Sequence, residues 1–141
     1  MSRDRLAIVI ALHRIVKRLD RKTAHLLQPY RLSLGQFAIL EALLHKGPLT
    51  VGQVQEKILS SCGTIPLILR NLEGRGLIHR CQDPQDRRRS ILELSGPGRE
   101  LIEEVYPQNE ALLLHELACY SEEEGEVLLS LLKKLKEEDH G

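Results

Sequence analysis

The sequence predicts a mainly α-helical fold with a small β-hairpin inserted between helices. Apolar residues recur at helical spacing before residue 74 and again after residue 96. Between these stretches, two apolar runs at 76–80 and 90–94 enclose a turn with an Asp-Pro pair and three consecutive arginines, a pattern typical of a hairpin with a long tip. The 141 residues are 42% hydrophobic and 28% charged, which is ordinary for one soluble globular domain over residues 1–141.

Two helices are expected in the N-terminal part of the chain. The first runs from Arg5 to Leu27, where apolar residues recur between charged ones, and Pro29 stops it. Ser33 begins the second helix, because its hydroxyl can cap the first turn and Gln36, three residues later, completes a capping box. The buried stripe of this helix is expected to comprise Phe37, Leu40, Leu43 and Leu44.

Two shorter amphipathic helices are expected next, separated by a tight turn at Ser60 and Ser61. Their apolar stripes lie at positions 51, 54 and 58 and at positions 65, 68, 69 and 72. Serine is a preferred N-cap because its hydroxyl accepts an otherwise unpaired backbone N–H. A cap at Ser61 would place residues 62–64 in the first turn. Pro66 would then lie deep enough in the helix to remove one hydrogen bond and kink it.

Helix, tight turn, helix and hairpin occur here in the order of a winged helix-turn-helix. In that arrangement the second helix enters the DNA major groove, and arginines of the hairpin contact phosphates or a narrow minor groove. Leu67 can offer only apolar contact, so we expect little direct reading of bases by the helix. The residues expected to face DNA are Ser60, Ser61, Cys62, Gly63, Thr64, Pro66, Leu67 and Arg70, together with Asp86, Arg87, Arg88 and Arg89 in the wing.

The charge distribution is compatible with DNA binding, although the net charge is zero. The 20 basic residues balance 20 acidic ones, but arginines gather between residues 70 and 89 while the C-terminal region is acidic. A basic patch on one face is enough to attract phosphates. Two alternatives stay open: the arginine turn is simply solvated, or the winged region is an adaptor that docks on another protein. A salt titration distinguishes DNA binding from docking on a protein, because DNA binding weakens steeply with ionic strength and protein docking much less.

The helices beyond the hairpin carry apolar stripes that the winged region does not obviously cover. Pro97 is placed to begin one helix, which we expect to bend at Pro107, and Ser121 caps a last helix. Burial of these stripes against a second copy would form a two-fold dimer, which suits a palindromic DNA site. The alternative is that the terminal helices pack into the core of their own chain.

The chain resembles the MarR family of bacterial transcriptional regulators. The resemblance rests on the order and spacing of residues 47–54, 61–65, 72–80, 83–88 and 94–99. It implies a DNA-binding lobe at 33–98 and terminal helices, at 1–30 and 99–141, that interdigitate in a homodimer. The implied function is that of a sequence-specific DNA-binding regulator, a repressor that a small-molecule effector releases from a palindromic operator.

The resemblance also assigns roles within the wing. It pairs Asp86 with Arg88, so that the carboxylate orients an arginine that enters the minor groove. Arg87 and Arg89 would contact phosphates or remain exposed, and the sequence leaves open which arginine forms the tip. At Pro66 the chain departs from the family, whose members usually carry a hydroxyl residue there.

A small aromatic or anionic effector is the expected signal. Members of the family often bind such compounds in a cleft between the dimerisation helices and the DNA-binding lobe. Polar and basic residues interrupt the first helix opposite the helix that carries Phe37, and a cleft with an apolar wall and a few cationic groups suits a small molecule. The expected contacts are His13, Arg14, Lys17, Phe37 and His45. The alternative is that His13 and Arg14 are merely solvated.

The cysteines offer a different signal, an oxidant. Cys62 was expected near a helix N-terminus, where a thiolate is favoured, so a thiol-based redox sensor remains an alternative. Cys81 and Cys119 are expected to be packed apolar residues. The three cysteines lack CxxC spacing, and neither a metal site nor a cofactor site is expected.

Other functional classes find no support in the sequence. Motifs of nucleophilic, phosphate-binding or paired-carboxylate catalysis do not occur, so we expect no enzyme. No apolar run approaches the roughly 20 residues that a membrane helix needs. Charged residues follow the short apolar run at 7–12 without a cleavage-like stretch, so no signal peptide is expected and the cytoplasm is the expected compartment.

Overall fold

The computed structural model of the chain describes residues 2–58 and 64–135, with nothing said of the side chain of Ser2. Its helices are α1 (Ser2–Leu27), α2 (Leu34–Lys46), α3 (Val51–Lys57), α4 (Ile65–Gly74), α5 (Gly96–Glu116) and α6 (Glu122–Lys133). Its strands are β1 (Leu49–Thr50), β2 (Ile78–Gln82) and β3 (Ser90–Leu94). Short 3-10 turns at Gln28–Tyr30 and Leu117–Cys119 follow α1 and α5. The predicted fold class, a mainly helical winged helix-turn-helix, is confirmed.

Side-chain caps set the start of several helices. Ser33 and Gln36 form the predicted capping box at α2, and Ser121 forms another with Glu124 at α6. A capping box that the sequence analysis missed joins Thr50 to Gln53 and begins α3. Each box satisfies two backbone N–H groups, so these boundaries are encoded locally.

The sheet has three antiparallel strands in the order β1-β3-β2, rather than the two of the predicted hairpin. Leu49 pairs with Leu92 and Thr50 with Ile91, so the short segment before α3 covers the inner edge of the hairpin. The sequence pattern did not predict a strand here. The segment is extended because Thr50 is an N-cap residue, and N-caps adopt β-region backbone angles.

The first turn of α5 is held close to the sheet by Ser95 and Gly98. Ser95 caps α5 by accepting a hydrogen bond from the Gly98 backbone, and its hydroxyl donates to the Gly76 carbonyl at 2.6 Å. A Cβ at Gly98 would lie 1.9 Å from the Leu77 carbonyl oxygen, so only glycine permits this approach.

The core lies within the winged region and the helices that touch it. The largest fully buried side chains come from α1, α2, α4, β3 and α5: Leu27, Ile39, Leu40, Leu43, Leu69, Leu72, Leu92 and Ile102, with Val54 of α3 and Val105 of α5. Among the described residues, α6 contributes none to this core. No helix within the described ranges is long and apolar enough to cross a membrane.

Candidate nucleic-acid interface

Helix α4 presents a short outward face next to the wing. Ile68, Leu69 and Leu72 point into the core, whereas Pro66, Leu67 and Arg70 are exposed. Leu67 is 52% exposed. The outward face therefore combines an apolar surface with one guanidinium group, a composition that can touch a thymine methyl and a phosphate.

The predicted start of this helix is wrong. Thr64 is the N-cap, with extended backbone angles, and the helix begins at Ile65 rather than after Ser61. Pro66 consequently lies in the first turn, where its missing N–H has no helical partner to lose, so it does not kink the helix. The residues predicted to precede it on the DNA face, Ser60, Ser61, Cys62 and Gly63, lie outside the described residues.

The loop between β2 and β3 is ordered by its own aspartates. Asp83 accepts a hydrogen bond from the Gln85 backbone at 2.9 Å, and Asp86 accepts one from the Arg88 backbone at 3.1 Å. The Asp83 backbone N–H also donates to the Arg89 carbonyl at 2.9 Å, which closes the loop. Aspartate side chains that bond two residues ahead stabilise turns, so these contacts favour one conformation of the tip.

The three wing arginines differ in their surroundings. Arg88 Nε lies 3.3 Å from Asp86 Oδ1, yet 92% of the Arg88 side chain is exposed. Arg89 Nε lies between two carboxylates, 3.7 Å from Asp83 and 3.6 Å from Asp86. Arg87 is exposed. The geometry contains the Asp86–Arg88 pair that the resemblance implied, and it gives Arg89 a neighbouring role in holding the loop.

Two further arginines of the basic middle region are engaged within the protein. Arg75 donates to the carbonyl oxygens of Arg31 and Tyr30, at 2.7 and 3.1 Å, and so fixes the link between α1 and α2. Arg80 donates twice to Glu73 Oε1, at 2.9 and 2.7 Å, and ties the wing to the end of α4. The Arg75 contacts join the end of α4 to the α1–α2 link, and the Arg80 contacts join α4 to the wing, roles that the sequence pattern alone did not indicate.

The five residues predicted to bind an effector are not brought together within the chain. Phe37 lines a cavity of about 360 Å³ between α1, α2 and α5, but His13, Arg14 and Lys17 are exposed on α1 and do not line it. His45 lies at a separate shallow pocket and packs edge-on against Tyr106, with ring centroids 4.6 Å apart. Glu41 shares that pocket, and burial raises its pKa despite the opposing effect of His45.

The cavity contains polar residues that the sequence analysis missed. Its walls are mainly apolar, formed by Val16, Leu19, Leu34, Phe37, Ala38 and Leu113, with Asp20, Thr23 and Asn109 among them. Thr23 Oγ1 donates to Asn109 Oδ1 at 2.8 Å, and both side chains are buried. One signal was available: positions 16, 19, 20 and 23 share one helical face, on which two polar residues interrupt the apolar ones.

Charge also links the two helices α1 and α5 along the stretch that lines the cavity. Glu116 of α5 accepts hydrogen bonds from Lys22 and from Arg18, the latter at 3.2 Å. The Lys22 contact, followed by that of Arg18, holds the pKa of Glu116 below its ordinary value.

The prediction for two cysteines is wrong. Cys81 and Cys119 are exposed rather than packed. Cys81 is an exposed residue of the edge strand β2, in which only Ile78 is buried.

Comparison with known proteins agrees with this geometry. A family model described as MarR family matches residues 32–90. The HTH-type transcriptional regulator MhqR of Bacillus subtilis is 29% identical over 135 residues, which cover 96% of this chain and 93% of that protein. The DNA complex of MepR from S. aureus has a TM-score of 0.79 and 26% identity, covering 89% of this chain and 93% of that one.

A further solved structure concerns a regulator that responds to a small molecule. BpsR of Bordetella bronchiseptica, described with a mechanism for regulation of its DNA binding by 6-hydroxynicotinic acid, has a TM-score of 0.82 and 25% identity, with 94% of each chain covered. Sequence and fold agree across these relatives. Over residues 32–90 the chain therefore matches the MarR family, whose members are DNA-binding transcriptional regulators and not enzymes.

Proposed function

We propose that this regulator is a homodimeric repressor that binds a palindromic operator in the cytoplasm and is released by a small-molecule effector. Residues 33–98 form the DNA-binding lobe, and the helices within 1–30 and 99–141 hold two lobes at a fixed spacing. Each lobe places α4 in the major groove and the wing beside it, so two half-sites are read with two-fold symmetry.

The observation that carries the proposal is the exposed apolar surface of the terminal helices. Large apolar side chains that are 41% exposed or more gather on α1, around the end of α5 and the turn that follows it, and along α6 and just beyond it: Leu6, Ile8, Val9, Ile10, Ile15, Val16, Leu114, Leu117, Tyr120, Val127, Leu129, Leu131, Leu132 and Leu135. In the described remainder of the chain, only Leu67 on the DNA face of α4 is comparably exposed. A patch of this extent marks an association surface, because its exposure to water is unfavourable.

The DNA-facing part of the proposal rests on the outward face of α4 and on the wing. Thr64, Pro66, Leu67 and Arg70 form the helix face, and Asp86, Arg87, Arg88 and Arg89 form the wing tip. Arg88 is the arginine that we expect to enter the minor groove. Asp86 orients its guanidinium group, and its side chain is more exposed than that of Arg89, which also pairs with wing aspartates. The relative MepR has been seen bound to DNA with the same overall fold.

Selection of bound fragments from sheared genomic DNA of the source organism tests this function. We expect an enriched inverted repeat whose half-sites lie about one helical turn apart, or a multiple of it, as two-fold lobes require. Affinity should fall steeply with added salt. Enrichment without symmetry, or binding that salt leaves unchanged, would contradict the proposed mode.

Release by an effector is supported by the cavity between α1, α2 and α5. Its volume of about 360 Å³ is in the range of small-molecule sites, and it lies where the terminal helices meet the lobe. The relative BpsR is described as regulated by a small aromatic acid. A ligand in this cavity releases DNA only if it binds better to the lobe spacing that misfits the operator.

A further inference from the structure

The cavity between α1, α2 and α5 indicates a chemical class of ligand that the sequence did not suggest. We propose that this site takes an amphipathic cation, with an apolar body, a protonated amine and one hydrogen-bond acceptor. This inference rests on the proposed function, which places the effector in the same cavity. It replaces the expected anion with a ligand of opposite charge.

The charge of the wall carries the first step. Asp20, which is exposed to solvent, is the one ionisable side chain that lines the cavity, and within residues 2–58 and 64–135 no cation lies within 4 Å of its carboxylate. Its neighbours on α1, Lys17 and Arg21, are exposed and do not line the cavity. A bound anion would meet a carboxylate with no compensating charge, whereas an ammonium group would be its counter-ion.

The apolar wall supplies the second step. Six of the nine lining residues are apolar, and they include Phe37 and Leu113 from helices on opposite sides of the cavity. Such a surface gains free energy by covering a hydrocarbon or aromatic body. A small, strongly hydrated cation alone would gain little here, so the charge must be attached to an apolar group.

A buried amide supplies the third step. Asn109 is 6% exposed, and its Oδ1 accepts the hydrogen bond from Thr23. Among the described residues this is its one side-chain hydrogen bond, and Nδ2 is not among buried atoms left without a partner. Nδ2 therefore keeps some contact with solvent, and because Asn109 lines the cavity, its N–H groups are candidate donors to an acceptor oxygen of the ligand.

Two fluorescent probes of similar shape and opposite charge, 1-naphthylmethylammonium and 1-naphthoate, test the inference on the wild-type protein at pH 7. We expect the ammonium probe to bind at least about fivefold more tightly than the naphthoate, as the upper range of a partly exposed ion pair allows. Asp20→Asn, which keeps the size of the side chain, should remove that preference. Asp4→Asn, the same change on the same helix but outside the cavity, should preserve it.

Tighter binding of naphthoate, or an ammonium preference that survives Asp20→Asn, would overturn the inference. So would the failure of both probes to bind a protein that still binds its selected DNA, and in that case DNA recognition by the proposed function would stand. If the ammonium probe binds as expected but does not alter DNA affinity, the ligand class is supported, and effector release in the proposed function fails instead.

Discussion

The DNA-binding lobe buries most of its large apolar side chains, whereas the terminal helices bury some and leave many exposed. In the lobe, Leu40 of α2, Leu69 of α4 and Leu92 of β3 are at most 1% exposed. On the terminal helices, Leu6, Val127 and Leu131 are 64%, 59% and 55% exposed. The lobe completes its core within one chain, whereas the terminal helices leave an apolar surface that a second chain can cover.

The two regions have the same helical sequence pattern but different roles. Periodic apolar residues predict an amphipathic helix in both regions, but they do not indicate whether the partner surface belongs to the same chain. The lobe needs a rigid internal frame to present α4 and the wing at a fixed angle. The terminal helices need a surface that sets the distance between two such frames. Four variants test this division, in order of decreasing expected effect.

Gly98→Ala tests the closed packing of the lobe. The new Cβ would lie 1.9 Å from the backbone oxygen of Leu77, so either α5 or the sheet must move. We expect the free energy of unfolding to fall by about 3 kcal/mol, the upper part of the usual range for overpacking, in a denaturant titration. Gly96→Ala is the control on the same helix, because nothing lies within 4 Å of its Cβ position. Equal stability of both variants would show that the contact is not tight.

Val9→Asp tests the exposed face of α1. Val9 is 48% exposed in the single chain, so the variant should fold, but a carboxylate in an apolar interface is costly. We expect the dissociation constant of the dimer to rise by about 100-fold or more in sedimentation equilibrium, which corresponds to about 2.7 kcal/mol. Leu67→Asp is the matched control, since Leu67 is 52% exposed on the DNA face. Weakened association of the control variant alone would place the interface elsewhere.

Arg88→Ala tests the wing. Loss of one guanidinium group that contacts DNA should weaken binding by about tenfold and reduce the dependence on salt by about one ion. A larger loss on A·T-rich flanks would indicate minor-groove contact rather than a phosphate contact. Arg99→Ala is the control, because Arg99 lies on α5 and pairs with Glu103. Fluorescence anisotropy with a selected DNA fragment measures the affinity of both variants and its dependence on salt. Unchanged affinity on all DNA would remove Arg88 from the interface.

Glu116→Gln tests the clamp between α1 and α5, with the smallest expected effect. Lys22 and Arg18 hold the pKa of Glu116 below its ordinary value of about 4.5. A lowered folded pKa contributes stability that is present above pH 4.5 and is lost as the pH falls through the folded value. The wild type should therefore lose stability more steeply than the variant below about pH 4.5, in thermal unfolding at a series of pH values. Glu100→Gln, an exposed carboxylate on the same helix, is the control. Identical pH profiles of Glu116→Gln and wild type would contradict the clamp.

Features that depend on a few neighbouring residues were predictable from the sequence. The capping residues Ser33 and Ser121 act within their own helix turn, so their side chains alone locate two helix starts. The hairpin strands follow from two apolar runs around a turn. Asp86 and Arg88 are two positions apart in one loop, and the family resemblance was enough to predict that they form a pair. Whether it serves DNA binding remains a proposal.

Features that depend on distant packing, or on competition between similar signals, were not predictable. Serine and threonine both favour the N-cap position, so Ser61 and Thr64 compete as starts of α4, and the preference of Pro66 for a first turn favours Thr64. The cavity depends on how α1 lies against α5, since Thr23 and Asn109 are 86 positions apart. Arg75 was assigned to a basic patch because its carbonyl partners on the α1–α2 link are 44 and 45 positions away.

The most direct test of the account is the mass of the folded protein in solution. Native mass spectrometry of the wild-type chain at micromolar concentration should give one species of twice the 16.0 kDa of a single chain, and a second subunit should remain attached when selected DNA is added. A folded species of 16.0 kDa at that concentration, with native helix content by circular dichroism, would contradict the claim that the terminal helices exist to join two DNA-binding lobes.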